Sequence, residues 1–154
     1  VAAYFFDSSA VVKRYLVETG TAWVSSITDL AVGNRVYLSR ITFVEVISAI
    51  MRKARGSGLS TTGAMTAISD FRRDFANEYS LIELTSTLVE SAADLAEAHA
   101  LRAYDAVQLA AAREINLEMT SAGASAITLI SADTALNTAA IDEGLAVDDP
   151  NTHS

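Results

Sequence analysis

The sequence predicts a single α/β domain with a mostly parallel central sheet of four to five strands flanked by helices. Three observations predict it. Short apolar runs suited to buried strands recur along the chain, stretches of helical spacing separate them, and no repeat, low-complexity linker or long charge run divides the 154 residues. Parallel neighbours need crossover connections, which the intervening helices supply. With 51% of its residues apolar, a chain of this length can bury its own core. The domain is expected to fill residues 1–154, with about 148–154 as a short C-terminal tail.

Ala2-Ala3-Tyr4-Phe5-Phe6 reads as the first strand and stops at Asp7-Ser8-Ser9, residues that start helices. From Ala10 the spacing turns helical, with Val11, Tyr15 and Leu16 on one side, until Glu18-Thr19-Gly20. Residues 21–32 carry a weaker helical pattern, and Val36-Tyr37-Leu38 is a second strand. Thr42 to Arg55 is strongly helical and ends at Gly56-Ser57-Gly58. A helix over about 60–77, a strand at Leu81 to Leu84, and helices over about 86–99 and 103–117 follow. Ile127 to Ile130 is a fourth strand ending at Ser131-Ala132-Asp133, and a last helix over about 134–142 closes at Gly144 before Leu145-Ala146-Val147.

Composition excludes several chemistries. The absence of cysteine rules out disulfides and thiolate zinc sites. No basic-then-apolar leader is evident, and charges such as Glu45 and Asp105 break the apolar runs, so a cytoplasmic protein with no membrane contact is expected. A formal charge of −8 argues against a nonspecific nucleic-acid binder. Two Mg²⁺ held by carboxylates would bring that charge to about −4. Positive residues also cluster, at Lys13-Arg14, Arg52-Lys53-Ala54-Arg55 and Arg72-Arg73, where they line a groove or simply form solvated helix ends. No Walker-type loop and no Ser-His-Asp set appears, and His99 and His153 are expected at the surface.

Four acids remain. Asp7 and Asp133 follow strand ends, where ligand sites of α/β folds form. Glu45, within Phe43-Val44-Glu45-Val46-Ile47, lies beside an apolar stripe where an unpaired charge is unfavourable. Asp105 stands in the first turn of an alanine-rich helix. Each has a plainer reading: a helix cap for Asp7, Asp105 and Asp133, and for Glu45 a nearby cation or the edge of the stripe. Converging on one cleft, they would offer the hard oxygens that Mg²⁺ takes beside water and substrate phosphate, one or two ions sufficing for in-line displacement.

These residues carry a resemblance over nearly the whole chain. Asp7-Ser8-Ser9-Ala10-Val11-Val12-Lys13-Arg14-Tyr15, Ile41-Thr42-Phe43-Val44-Glu45-Val46 with Ala49 and Arg52, Leu101 to Ala110, Ser131-Ala132-Asp133 and Gly144-Leu145 resemble the PIN-domain nucleases, in particular the VapC-type toxins of toxin-antitoxin pairs. The resemblance implies that Asp7, Glu45, Asp105 and Asp133 ligate Mg²⁺ or Mn²⁺ and are the catalytic acids, supported by Ser8 and Ser131. It further implies hydrolysis of RNA, a homodimer, and a VapB-like antitoxin as partner, with Lys13, Arg14 and Arg52 touching RNA or antitoxin. A net charge more acidic than expected of an RNA-cutting enzyme departs from it. Three rivals differ in class. An RNA-processing nuclease without an antitoxin would lack a small upstream reading frame. A non-catalytic scaffold on the same fold would have lost an acid. A haloacid-dehalogenase-like phosphatase would want Asp-x-Asp, where this chain has Ser9 in the third position.

Overall fold

The structure is a computed structural model describing residues 1–154. Five strands, β1 (Ala3–Phe6), β2 (Arg35–Ser39), β3 (Ser80–Ile82), β4 (Thr128–Ile130) and β5 (Ala146–Asp148), lie in the order β3-β2-β1-β4-β5, every neighbouring pair parallel. The register sets Phe5 between Tyr37 and Leu129. Helices provide every crossover: α1 (Ser8–Val11) and α2 (Thr21–Ile27), then α3 (Thr42–Arg55) and α4 (Thr61–Asn77), then α5 (Ser86–His99) and α6 (Ala103–Ser121), and finally α7 (Thr134–Asp142). The expected α/β class and its parallel sheet are what the structure contains.

Alternation along the strands divides the core into two. Phe5, Tyr37 and Leu129 join Leu95, Leu109 and Leu136 on one face, while Phe6, Leu38 and Ile130 join Val46, Ile50 and Phe71 on the other. A sheet covered on both faces explains why the strands read as nearly continuous apolar runs. Phe5 and Phe6 are fully buried, and truncating either to alanine would cost about 3–5 kcal/mol. In α3 the buried Thr42, Val46 and Ile50 recur every fourth residue, which leaves Glu45 on the edge of that stripe.

The chain winds outward from β1 to β3 on one side, then returns to build β4 and β5 on the other. The winding reverses between β1 and β4, and the crevice beyond the carboxyl ends of two such strands is where α/β sheets place their ligands. Asp7 follows β1 directly and Asp133 lies three residues beyond β4.

Some boundaries differ from expectation. The helix expected from Ala10 is one turn, followed by a 3-10 turn over Val12–Arg14, because Asp7 caps the chain earlier and the segment must bend at Tyr15. The helix expected to end near residue 117 runs on to Ser121. The last residues are anchored: a 3-10 turn at Pro150–Thr152 abuts Gly20, whose φ of +88° and closeness to the Pro150 carbonyl leave no room for a Cβ. His153 stacks on Trp23 at 3.9 Å and bonds to Asp148 Oδ1 at 2.8 Å. No helix is long and apolar enough to cross a membrane.

Candidate functional site

Asp7 is placed by the sheet itself, since its N–H donates to the Ile130 carbonyl at 3.1 Å before the chain turns into α1. Its Oδ1 accepts from Ala10 N at 3.1 Å and Ser9 Oγ at 2.7 Å, and its Oδ2 accepts from Ser131 Oγ at 3.1 Å. All three donors are neutral, although the residue is only 3% exposed. Burial pushes the carboxyl up to about 7; the bonds from Ser9, Ala10 and Ser131 oppose that rise, and the charge of Glu45 adds to it.

The two serines reach further than Asp7. Ser131 Oγ also accepts from Asp133 N at 3.1 Å, and Ser9 Oγ accepts from Ala132 N at 3.0 Å, so both hydroxyls tie the end of β1 to the turn after β4. That turn fixes Asp133, whose side chain caps α7 by accepting from Leu136 N at 2.9 Å. The capping reading therefore holds for Asp7 and Asp133. For Asp105 it does not: the N-cap of α6 is Arg102, and Asp105 sits half-buried in the first turn. Burial raises the Asp105 carboxyl and the charge of Asp133 raises it further, against Arg102. Glu45 is likewise half-buried and raised, first by burial, while Gln108 and Ser8 hydrogen bonds pull it down and the charge of Asp105 pushes it up.

Each acid thus lies in the field of the next, Asp7 with Glu45, Glu45 with Asp105, and Asp105 with Asp133. None of the four belongs to an ion pair, whereas Glu18, Asp70, Asp74, Glu78, Glu83, Glu143 and Asp148 all do. The four acids expected to converge on one cleft do not form a ready-made protein ligand set: no three Asp, Glu or His side chains group so as to hold an ion by themselves. Asp7, Glu45 and Asp133 are each held on their own element by neutral donors, while Asp105 accepts no hydrogen bond. Neighbouring carboxylates without cations nevertheless fit Mg²⁺, which is usually held by one or two carboxylates together with water and phosphate, rather than by an all-protein cage.

Gln108, Thr42, Ser9 and Asn137 were not among the candidates from sequence. Gln108, 1% exposed, donates from Nε2 to Glu45 Oε1 at 2.7 Å and to Thr42 Oγ1 at 2.9 Å. Asn137 donates from Nδ2 to the Ser131 carbonyl at 2.8 Å. The carboxamide oxygens of both are buried without a partner. The available signal was a polar residue one helical turn after an acid, Gln108 after Asp105 and Asn137 after Asp133, on faces otherwise apolar.

The basic residues divide. Lys13 is buried and faces Glu18 at 3.4 Å, and Arg14 bonds to Glu78 Oε2 and Tyr79 Oη, each at 2.8 Å, so a contact of either with a partner would compete with these bonds. Arg52 is exposed, bonds only to Ser48 Oγ, and its charge lowers the Glu45 carboxyl. His99 is not a free surface residue as expected; its side chain is largely buried against Glu143 Oε2 at 2.7 Å, because α5 ends over the C-terminus of α7.

Residues 4–142 match the PIN domain family model. The chain is 38% identical over 108 residues to ribonuclease VapC45 of Mycobacterium tuberculosis, covering 70% of this chain and 73% of that one. Among solved structures it resembles the protein PAE2754 of Pyrobaculum aerophilum, with a TM-score of 0.66 at 15% identity, covering 98% of this chain and 85% of the other. It also resembles a chain of VapBC2 of Rickettsia felis, solved bound to a DNA fragment from its promoter, with a TM-score of 0.60 at 12% identity, covering 96% and 98%.

Proposed function

The chain belongs to the PIN-domain family, among its VapC-type members, and on that premise we propose that it is a metal-dependent endoribonuclease, the toxin of a toxin-antitoxin pair. The observation that carries the reading is a row of four buried or half-buried carboxylates, each in the field of the next, with no cation in any ion pair. Leaving charge so placed is unfavourable unless something brought from outside offsets it. A divalent hard cation does so, and Asp7, Glu45, Asp105 and Asp133 are the residues to hold it, Mg²⁺ first and Mn²⁺ in its place.

The chain's own residues divide the work. Ser9 and Ala10 N both donate to Oδ1 of Asp7 and Ser131 to its Oδ2, which fixes the carboxylate plane and leaves Oδ2 the oxygen with a direction open to a ligand. Burial pushes the Asp7 carboxyl up to about 7, so binding of a cation there would be favoured as pH rises. Gln108 donates to Oε1 of Glu45, whose carboxylate Ser8 also stabilises. Bound Mg²⁺ supplies Lewis-acid stabilisation of charge developing on the scissile phosphate and eases ionisation of the attacking water. The RNA substrate, a VapB-like antitoxin, a homodimer and action in the cytoplasm complete the reading. It is supported by the kinship with a ribonuclease VapC and by the likeness to a chain of a VapBC assembly.

Incubation of the purified protein with a mixed RNA pool, with Mg²⁺ and then with EDTA, tests it alongside Asp7→Asn. Cleavage is expected with Mg²⁺ alone and in the parent alone. Cutting that persists in EDTA, or in the Asn variant at the parent's rate, would end the nuclease reading.

A further inference from the structure

We infer that Gln108 is the positioning residue of the site, a buried carboxamide that sets the rotamer of Glu45 by pinning one of its oxygens to α6. The inference rests on the nuclease reading and assigns within it a role to a residue outside the four acids.

Gln108 lies one turn beyond Asp105 on α6, with its side chain directed into the first turn of α3. Its Nε2 reaches Glu45 Oε1 at 2.7 Å and Thr42 Oγ1 at 2.9 Å, so a single NH₂ group spans two residues of α3. The opposite orientation of the amide would bring its carbonyl oxygen against the Glu45 carboxylate, two acceptors at hydrogen-bond distance with no proton between them. The amide therefore offers its donor to the acid, and its own Oε1 is left buried without a partner. A core position needing only volume is filled by leucine without an orphaned Oε1, so the glutamine is explained by the two acceptors it serves, Glu45 Oε1 and the buried Thr42 Oγ1. What leucine cannot do is hold Glu45.

The consequence is geometric. Glu45 has three rotatable side-chain bonds and stands half-buried on the edge of the α3 stripe, where several rotamers point away from the cleft. The bond from Gln108 selects one and couples it to the helix that carries Asp105, so two acids from different crossovers keep a fixed spacing. Partners that orient a metal ligand in this way typically change metal affinity or activity by about 10–100-fold when removed.

The test measures the Mn²⁺ dissociation constant by titration of the free-ion paramagnetic signal. Cleavage of a single-stranded RNA in Mg²⁺ and the thermal unfolding midpoint are recorded in parallel, for the parent, Gln108→Leu and Gln108→His. Gln108→Leu is expected to weaken Mn²⁺ about tenfold or more and to lower kcat by a similar factor, with KM for RNA within about twofold and a cooperative unfolding transition that shows the variant folded. Gln108→His, which returns an N–H donor to the same place, is expected to recover most of the lost affinity. Should Gln108→Leu fail to fold, Gln108→His and Gln108→Met carry the comparison, the first binding Mn²⁺ more tightly than the second. A parent that binds Mn²⁺ while the leucine or methionine variant matches it overturns the inference alone. A parent that binds no Mn²⁺ and cuts no RNA overturns the nuclease reading and the inference with it.

Discussion

Asp7 and Asp74 are both 3% exposed, yet they are buried in opposite company. Asp74, on α4, has Arg73 at 3.1 Å and Arg14 at 3.5 Å and accepts from Tyr15 Oη at 2.8 Å. Asp7, at the sheet's switch point, has two hydroxyls and one amide. The acid with cations ties the 3-10 turn after α1 to α4 and is complete within the chain. The acid without them is satisfied in hydrogen bonding and has no cation beside it, as the proposed metal role requires. Burial depth alone does not separate the two acids; the sign of their neighbours does.

The strongest way to break this contrast is to neutralise each acid in turn. Asp7→Asn is expected to lower RNA cleavage by about a thousandfold, roughly 4 kcal/mol of barrier, while the metal-free protein keeps or gains stability because a buried charge without a cation is gone. Steady-state cleavage with Mg²⁺ beside thermal melts in EDTA reads both halves. If the variant cuts normally, or melts far below the parent without metal, Asp7 belongs with Asp74.

A titration sharpens the same contrast. The Asp7 carboxyl holds its proton up to about 7 in the fold against an ordinary 3.8, so the native state binds that proton more tightly than the unfolded state does. Its contribution to stability is full below 3.8 and is lost as pH rises through about 7, roughly 4 kcal/mol across the interval. Melts of metal-free parent and Asp7→Asn are expected to diverge between about pH 4 and pH 7, with the parent falling relative to the variant. Mg²⁺ should close the gap at pH 8 and do little at pH 5, where it competes with the proton. Parallel curves would remove Asp7 as the source.

Asp74→Asn is expected to do the reverse of Asp7→Asn, costing on the order of 2–3 kcal/mol because Arg14 loses a charge partner in a half-buried setting. The figure is kept below that of a fully buried pair because Arg73 is largely exposed and contributes little. Cleavage per folded molecule should stay within about threefold. A large loss of activity at unchanged stability would show that the α4 network reaches the site.

This contrast also marks how far the sequence could be read. The alternation of short apolar runs with helical spacing was enough for the parallel sheet, since Phe5 and Phe6 on opposite faces leave few other ways to bury both. The end of α3 was legible because Gly56 punctuates it. The short α1 was not, since Lys13 and Tyr15 fit a helical pattern until tertiary bonds to Glu18 and Asp74 bend the segment. Within the site, Asp7, Glu45, Asp105 and Asp133 stood out because charge amid apolar residues is conspicuous. Gln108 and Asn137 did not, because a neutral amide in a helix is unremarkable until its partner, 63 residues away for Gln108 and Glu45, is known. Nor does spacing reveal which cations are already spent: Lys13 and Arg52 look alike in the sequence, and only their surroundings differ.

That last difference sets the smallest effect. Lys13 is buried against Glu18, whereas Arg52 is exposed with no carboxylate within ion-pair distance. If free and committed cations behave as free and committed acids do, only Arg52 has a charge to give to RNA phosphate. In the Asp7→Asn background, expected to hold substrate without cutting it, Arg52→Gln is expected to weaken RNA about threefold. The dependence of log affinity on log salt should become shallower by about 0.7, the loss of one phosphate contact on a single strand. Lys13→Met should leave that slope unchanged, because a cation already neutralised by Glu18 releases no counterion on binding. Fluorescence anisotropy between 50 and 200 mM salt, a range over which such slopes are measurable at roughly this scale, decides it. A slope that falls for Lys13→Met and holds for Arg52→Gln would mean that RNA pulls Lys13 out of its pair, and the rule drawn from Asp7 and Asp74 would not extend to the basic residues.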